Sequence, residues 1–318
     1  MSAFPQVVVV VGASAGGVEA LSTFCRGLPA DLQAAVCIVL HVAPTSPSLL
    51  PSILQRFTSL PVSAVTHEEP VQAGHVYVAS PDRHLMLLDG TVRAVRGPRE
   101  NRHRPAIDTL FRSAAHAFGS RVIGVVLSGM GDDGTAGLAT IKAAGGKTVV
   151  QQPDDAYFKD MPVNALRHVQ VDHRATSYEA GALVGHLARE QGAVSSMKAV
   201  APASSSDPKV SGFTCPFCHG AVWESEQNGA LQFECRVGHT YSPESLRQDQ
   251  GDGVEAALWA ALRALDESAA LDRRLETYYP GEPGVRYRES AGDKEAQAVI
   301  LRRLLLEPPF GRPGDSGT

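Results

Sequence analysis

The chain has 318 residues, 43% of them hydrophobic and 20% charged, with a formal net charge of −5 and an isoelectric point near 6.1. That length accommodates two domains, one of them with a full core, and the acidic balance argues against bulk nucleic-acid binding, which shows as a basic excess. No apolar run approaches the ~18 residues of a membrane span, and no Lys or Arg precedes the apolar run Val7–Val11 as a secretory signal requires, so a cytoplasmic protein without membrane insertion is expected.

Residues 6–190 alternate strand and helix patterns. Gln6–Val11 and Ala35–Leu40 are apolar, β-branched runs that read as buried strands, the second ending at His41. Gly17–Leu28 has helix spacing through Val18, Leu21, Phe24 and Cys25, and Ser48–Phe57 also reads as helix. His75–Ala79, Leu85–Leu88 and Thr91–Val95 read as short strands, with Asp89-Gly90 as a hairpin turn. Pro105–Phe118 reads as helix with Pro in its first turn. Val122–Leu127 is a strand, Gly134–Ala144 a helix closed by Gly145-Gly146, and Lys147–Gln151 a strand. Pro162–Arg167 and Tyr178–Arg189 complete the series as helices. Strands apolar throughout and separated by helices predict a doubly wound α/β domain with a mostly parallel, Rossmann-like sheet. Ligands in such folds bind beyond the carboxyl ends of the strands, near the switch in strand order.

Three features fall at such strand ends: Gly12-Ala13-Ser14-Ala15-Gly16-Gly17, then His41, then Gly129-Met130-Gly131-Asp132-Asp133-Gly134. A serine hydroxyl needs an imidazole to take its proton, and the imidazole needs a carboxylate to hold its tautomer. Backbone N–H groups of the glycine-rich turns can stabilise an oxyanion. Taken singly, His41 reads as a structural histidine and Asp132-Asp133 as part of a turn with Gly134; their joint placement at strand ends points to chemistry. A dinucleotide fingerprint fits poorly, because Ser14 stands at its third position and His41 replaces the acidic ribose ligand after the second strand.

Together with Asn101-Arg102-His103-Arg104-Pro105 leading into Asp108-Thr109-Leu110-Phe111, and with Met161-Pro162, these motifs resemble, in order, the catalytic domain of the CheB-type protein-glutamate methylesterases. The resemblance covers about residues 5–190. It implies a serine hydrolase of methyl esters on glutamates of methyl-accepting chemotaxis-type receptors, releasing methanol, and in some members deamidation of receptor glutamines. It implies Ser14 as nucleophile, His41 as general base and Asp133, which precedes the last glycine of its motif, as the triad carboxylate; Asp132 sits at a variable position. It places Met130 as a backbone contributor near the oxyanion, with Ala15 beside the nucleophile where many members carry Thr. Arg93, Arg96, Arg99, Arg102 and Arg104 read either as a solvated loop or as a surface for acidic receptor segments; His103 and Arg104, inside the family motif, are the candidates for substrate recognition. A receiver domain commonly precedes the family's catalytic domain, but the first catalytic strand begins near Gln6, so control by a partner or by the segment beyond residue 212 is expected. No catalytic cofactor is expected. The alternative function is a non-catalytic signalling module that docks partners on the same fold.

Residues 191–212, rich in Ala, Ser and Pro, read as a flexible linker. In residues 213–247, Cys215 and Cys218 form a CxxC pair, followed by Cys235 and His239, with Asn228-Gly229 as a hairpin between two strand patterns. Four S/N ligands in that layout predict a small ribbon holding a structural zinc, closed to substrate. His219 adjoins Cys218 and is not expected to ligate; Cys25 and Cys37 sit in apolar contexts and are expected to be buried. Such a ribbon offers a docking surface for another signalling protein. Residues 252–307 read as helical, with helices over Asp252–Tyr279 and Ala291–Leu306 and a break at Pro280–Gly284, and 308–318 as a disordered tail.

Overall fold

The computed structural model describes residues 5–193, 206–227 and 229–306. The elements of the first domain are β1 (Val7–Ala13), α1 (Gly17–Gly27), β2 (Ala34–Leu40), α2 (Leu50–Leu54), β3 (Val62–Val65), β4 (Glu69–Pro70), β5 (Val76–Ala79), β6 (His84–Leu88), β7 (Thr91–Val95), α3 (Ile107–Phe118), β8 (Val122–Val126), α4 (Thr135–Ala143), β9 (Lys147–Gln151), α5 (Asp160–His168), β10 (His173–Ala175) and α6 (Ser177–Ala193). Seven strands form one sheet in the order β10-β9-β8-β1-β2-β5-β3, and every neighbouring pair is parallel. The chain winds outward from β1 through β2 in one direction and from β8 through β10 in the other, so the switch in strand order lies between β1 and β8. This is the doubly wound sheet that the apolar strands predict.

The strands are apolar throughout because both sheet faces are covered. Alternate residues of β1 point to opposite sides. Val7, Val9 and Val11 pack in one core with Leu21 and Phe24 of α1 and Val184 and Leu187 of α6. Val8 and Val10 pack in the other with Ile107 and Phe111 of α3, Leu138 and Ile141 of α4, and Met161 of α5. β6 and β7 form an antiparallel hairpin whose other edge is β4.

Two sequence expectations shift in this domain, and three strands were not expected. The helix expected over Ser48–Phe57 shrinks to α2, which Pro51 opens and which ends where the Gln55 side chain turns to the backbone of Leu60 and Val62. Pro105 lies ahead of α3 rather than in its first turn, and Ala106, extended at φ −110° and ψ 144°, is the residue flanking the helix. The short strands β3, β4 and β10 carry too few residues for a period to be read.

β11 (Lys209–Thr214), β12 (Ala221–Gln227), β13 (Ala230–Cys235) and β14 (Thr240–Tyr241) form an antiparallel ribbon in that order, in the same compact unit, residues 1–246, as the α/β domain. Its core is small: Val222, Phe233, Tyr241 and Leu246 around Cys215 and Cys235. β11 begins inside the stretch read as linker and runs past its end at 212, and residues 191–193 end α6; the rest of that reading over 194–205, the hairpin residue Asn228 and the tail from 307 fall outside the described residues.

The second unit, residues 247–318, contains the remainder of α7 (Pro243–Tyr278) and α8 (Glu282–Leu306). α7 starts earlier than its periodicity predicts, because the Ser242 hydroxyl accepts the Ser245 N–H at 3.1 Å and caps it. α8 starts at Glu282 and not Ala291, with Pro283 in its first turn, where a missing N–H costs nothing. The two helices run antiparallel, since Asp266, Asp272 and Arg273 pair with Arg302, Lys294 and Glu295 respectively. Leu262, Ala269, Ala291 and Ala298 are buried in this hairpin. No helix among the described residues is long and apolar enough to cross a membrane.

The backbones of α1 and α6 approach closely at Gly27 and Gly181. A Cβ on Gly181 would overlap the Phe24 carbonyl oxygen and stand 3.0 Å from Gly27 Cα, and backbone cannot yield as a flexible side chain does. Gly181→Ala is therefore expected to destabilise the protein by about 1–3 kcal/mol, as overpacking does. A denaturant midpoint equal to that of the parent chain would show that the helices can separate without cost.

Candidate active site and metal centre

Strand register brings the candidate residues together. Ala13 of β1 stands opposite Leu40 of β2, so the next residues, Ser14 and His41, leave the sheet side by side. On the other side Gly12 pairs with Val126 of β8, and the Ser14 N–H donates to the Ser128 carbonyl at 2.9 Å. Ser14 Oγ lies 3.1 Å from His41 Nδ1, and His41 Nε2 lies 2.8 Å from Asp133 Oδ2. Serine, imidazole and carboxylate thus form one hydrogen-bonded line, with Nε2–H donating to Asp133 and Nδ1 free to accept from the serine. The ring nitrogens exchange the positions they hold in chymotrypsin-type triads; the chemistry needs only one nitrogen for each partner.

Asp133 is 3% exposed, and every bond to it has a structural reason. α3 has no side-chain cap of its own at Ala106. Asp133 supplies one: Oδ2 accepts the Ile107 N–H at 2.7 Å and Oδ1 accepts the Asp108 N–H at 3.1 Å. The positive end of the α3 dipole therefore faces the triad carboxylate. In return Asp108, in the first turn of α3, accepts the Gly137 N–H of α4 at 2.6 Å. Asn101 Nδ2 donates to both carboxylates, to Asp133 Oδ1 at 3.0 Å and to Asp108 Oδ2 at 2.9 Å. Burial opposes ionisation of Asp133, but the hydrogen bond and charge of His41 and the Asn101 amide outweigh it and hold the carboxyl below the usual range. Asp108 goes the other way: burial, then the neighbouring Asp133 charge, push its carboxyl well up. One carboxylate of the pair carries the charge, and it is the one facing His41.

The remaining candidates divide. His103 stacks on His41 with ring centroids 3.5 Å apart and planes 11° from parallel. Burial, with the His41 charge adding to it, drives His103 down to about 3, so it stands neutral beside the triad imidazole. Arg104, a candidate for substrate recognition, donates to Asp82 Oδ1 through Nε at 3.0 Å and Nη2 at 2.5 Å, and to the Gly97 carbonyl through Nη1 at 2.6 Å. Arg96 also reaches Asp82, at 3.3 Å, and Arg93 pairs with Glu68 at 3.0 Å, so much of the basic stretch is internally paired. Ala15 lies in the turn after Ser14, and Met130, 55% exposed, in the loop after β8. That loop presses on Ser14: a Cβ on Gly129 would sit 2.8 Å from Ser14 Cβ and overlap the Met161 sulfur.

Sequence reasoning missed two supports. Ser128 receives the Ser14 N–H on its carbonyl, donates its hydroxyl to the Ala15 carbonyl at 2.9 Å, and is itself fixed by Gln151, whose Oε1 accepts its N–H at 2.8 Å. Asn101 was visible only as the first letter of a motif. The available signal was position: one polar residue stands immediately before the loop at Gly129, the other heads the segment that carries His103.

In the ribbon, Cys215, Cys218, Cys235 and His239 place one ligand atom each within 4.8 Å of all the others. Cys218 and Cys235 sulfurs are 3.5 Å apart, and His239 Nδ1 is 3.4 Å from the Cys235 sulfur and 3.8 Å from that of Cys215. A tetrahedron with Zn–S of ~2.3 Å has edges of ~3.8 Å, so the cluster has the size zinc requires. His219, at φ 59°, is not part of the cluster, and its N–H donates to the Cys215 carbonyl at 2.9 Å. Cys25 and Cys37 are fully buried free thiols, and burial pushes Cys25 up to about 12.

The CheB methylesterase family model matches residues 9–183. A protein-glutamate methylesterase/protein-glutamine glutaminase of Anaeromyxobacter dehalogenans is 43% identical over 144 residues, which are 45% of this chain and 42% of that protein. A putative protein of the same description from Leptospira interrogans is 36% identical over 166 residues, 52% of this chain and 86% of that one. The crystal structure of the Thermotoga maritima CheB methylesterase catalytic domain superposes with a TM-score of 0.55 at 29% identity, over 57% of this chain and 98% of that one. This chain thus spans less than half the length of the Anaeromyxobacter relative. With the match running from β1 into α6, the chain belongs to the CheB methylesterase family.

Proposed function

We propose that the α/β domain is a protein-glutamate methylesterase whose nucleophile is Ser14. The observation that carries the reading is the unbroken line from Ser14 Oγ through His41 to a buried, ionised Asp133 at the carboxyl ends of three parallel strands. Ser14 Oγ attacks the ester carbonyl while His41 Nδ1 takes its proton. The imidazolium is stabilised by Asp133, and neutral His103 stacked on it adds no opposing charge. The tetrahedral oxyanion is received by the backbone N–H groups of Ala15 and Met130. Collapse expels methanol, protonated by His41, and leaves an acyl-serine; water, activated by the same imidazole, then releases the glutamate. An amide in place of the ester would lose ammonia by the same route, as the glutaminase half of the relatives' names describes. The substrate class is a methylated receptor segment, and the compartment the cytoplasm. Zinc held by Cys215, Cys218, Cys235 and His239 serves the ribbon's folding: four protein ligands leave no open position, and a core this small gains stability from metal binding.

Ser14→Ala is expected to abolish methanol release from methylated receptor fragments with the fold intact by circular dichroism; substantial residual turnover would remove Ser14 as nucleophile. Asp133→Asn should slow the reaction by up to about ten-thousand-fold through the wrong histidine tautomer, whereas Asp132→Asn, whose carboxylate meets Ser242 and not His41, should be far milder. The reverse order would assign the triad to the neighbouring residue.

Metal analysis of protein purified under reducing conditions should return one zinc per chain. Stoichiometric zinc in a Cys235→Ala variant would contradict the proposed ligand set.

Because His103 titrates at about 3 in the fold and near 6.5 when unfolded, the unfolded chain binds the proton more tightly between those values. Its contribution to stability is complete above about pH 6.5 and is lost as pH falls towards 3. His103→Gln should flatten the fall in denaturant midpoint across that window; an unchanged slope would show that His103 is not kept neutral by the fold.

A further inference from the structure

The ribbon is docked on the segment that orients the triad carboxylate. Thr240 follows the metal ligand His239 directly, and its backbone pairs with that segment: the Asn101 N–H donates to the Thr240 carbonyl at 2.8 Å, and the Thr240 N–H to the Arg99 carbonyl at 3.3 Å. Gly238 packs on Pro98, and the Arg99 guanidinium lies over the Phe217 ring, 5.6 Å from its centre. Beyond Tyr241 the Ser242 N–H donates to Asn101 Oδ1 at 2.8 Å, the Ser245 hydroxyl donates to the same oxygen at 3.2 Å, and the Ser242 hydroxyl donates to Asp132 at 2.9 Å.

These bonds decide which way the Asn101 amide faces. A backbone N–H can only donate, so the amide oxygen must face the ribbon. Its NH₂ group must then face Asp108 and Asp133, where it donates to both carboxylates. Asn101 itself is 4% exposed and held at φ 47°, a conformation that needs support from its neighbours. The ribbon in turn has six buried core residues, two of them cysteines of the metal cluster, so its order depends on the metal.

We propose that the ribbon is a metal-dependent clamp on the esterase site: zinc at Cys215, Cys218, Cys235 and His239 fixes residues 240–245, these lock the Asn101 amide, and Asn101 positions Asp133 against His41. Asn101 acts through Asp133 and is a positioning residue. The clamp rests on the esterase reading, and it assigns the ribbon a part in catalysis that folding stability alone does not. Its effect is on the chemical step, since no ribbon residue need touch the ester for Asn101 to hold the carboxylate.

The test uses the full chain and a small activated acetate ester, with metal removed by a chelator and restored by zinc. Loss of one hydrogen bond to a charged group corresponds to about a ten- to hundredfold change. The metal-free protein should show kcat lower by that factor with KM unchanged, and stoichiometric zinc should restore it. In zinc-loaded Asn101→Ala, kcat should already be lowered, and metal removal should then have little further effect, because the two changes break the same connection. If Asn101→Ala does not fold, Asn101→Gly, which tolerates φ 47° and equally lacks the amide, serves as the background: it should retain one zinc, show reduced kcat, and lose less than the parent on metal removal. Equal kcat with and without metal would overturn the clamp. So would an equal fold-loss on metal removal in the parent and in the background variant, which would mark the metal as a general stabiliser, and so would a chain that binds no zinc. A Ser14→Ala variant run beside these separates the readings: if it hydrolyses the ester as the parent does, the esterase assignment fails and the clamp has nothing to act on.

Discussion

The structure turns on one buried carboxylate. Asp133 caps the N-terminus of α3 through the Ile107 and Asp108 N–H groups while its other contacts meet His41 and Asn101. A helix end without its own capping side chain leaves N–H donors that must be satisfied, and a buried anion needs donors to remain ionised. Each solves the other's problem. The triad carboxylate is therefore fixed by the same bonds that join the loop after β8 to α3, and the site cannot loosen without uncapping a helix of the domain core.

The capping is reciprocal, with Asp108 of α3 reaching the Gly137 N–H at the start of α4. Two carboxylates so close cannot both ionise at ordinary cost. The outcome is set by which one faces a proton-binding partner: Asp133 has His41, whereas Asp108 has burial and a neighbouring charge against it. Asn101 bridges the two as a neutral donor, and its orientation is in turn fixed from the ribbon. The Ser14 side is built separately, by Ser128 holding the Ser14–Ala15 turn from the end of β8. The triad is thus braced from two directions, by hydrogen bonds that use few of the reacting atoms themselves.

Much of the fold was legible in the chain because its signals are local. Five successive valines in β1 and an apolar run through β2 can form only strands covered on both faces, and intervening helical periods make those strands parallel. Among the elements that escaped notice, β3, β4, β10, β14 and the start of α8 are short or carry a proline whose meaning depends on whether it opens a helix or ends one. The side chains singled out at strand ends, Ser14, His41 and Asp133, do meet, because parallel register carries residues after neighbouring strands to one edge of the sheet. Arg104 shows the limit of reading charge from sequence: its partner Asp82 is 22 residues away, and nothing in the chain announces the pairing.

What the sequence by itself determined is the type of most elements, the edge of the sheet where Ser14, His41 and Asp133 gather, and the Cys215, Cys218, Cys235 and His239 set whose sulfur and nitrogen atoms cluster, all set by spacing and composition within a few residues. What only the tertiary structure decided is how these parts constrain one another: that a carboxylate after β8 caps α3, that Ser128 braces the Ser14 turn, and that the ribbon seats Thr240 and Ser242 against Arg99 and Asn101. These contacts join residues as far as 141 positions apart. A hydrogen bond depends on a few ångströms of separation and on the angle between donor and acceptor, and the sequence fixes neither until the intervening chain is packed.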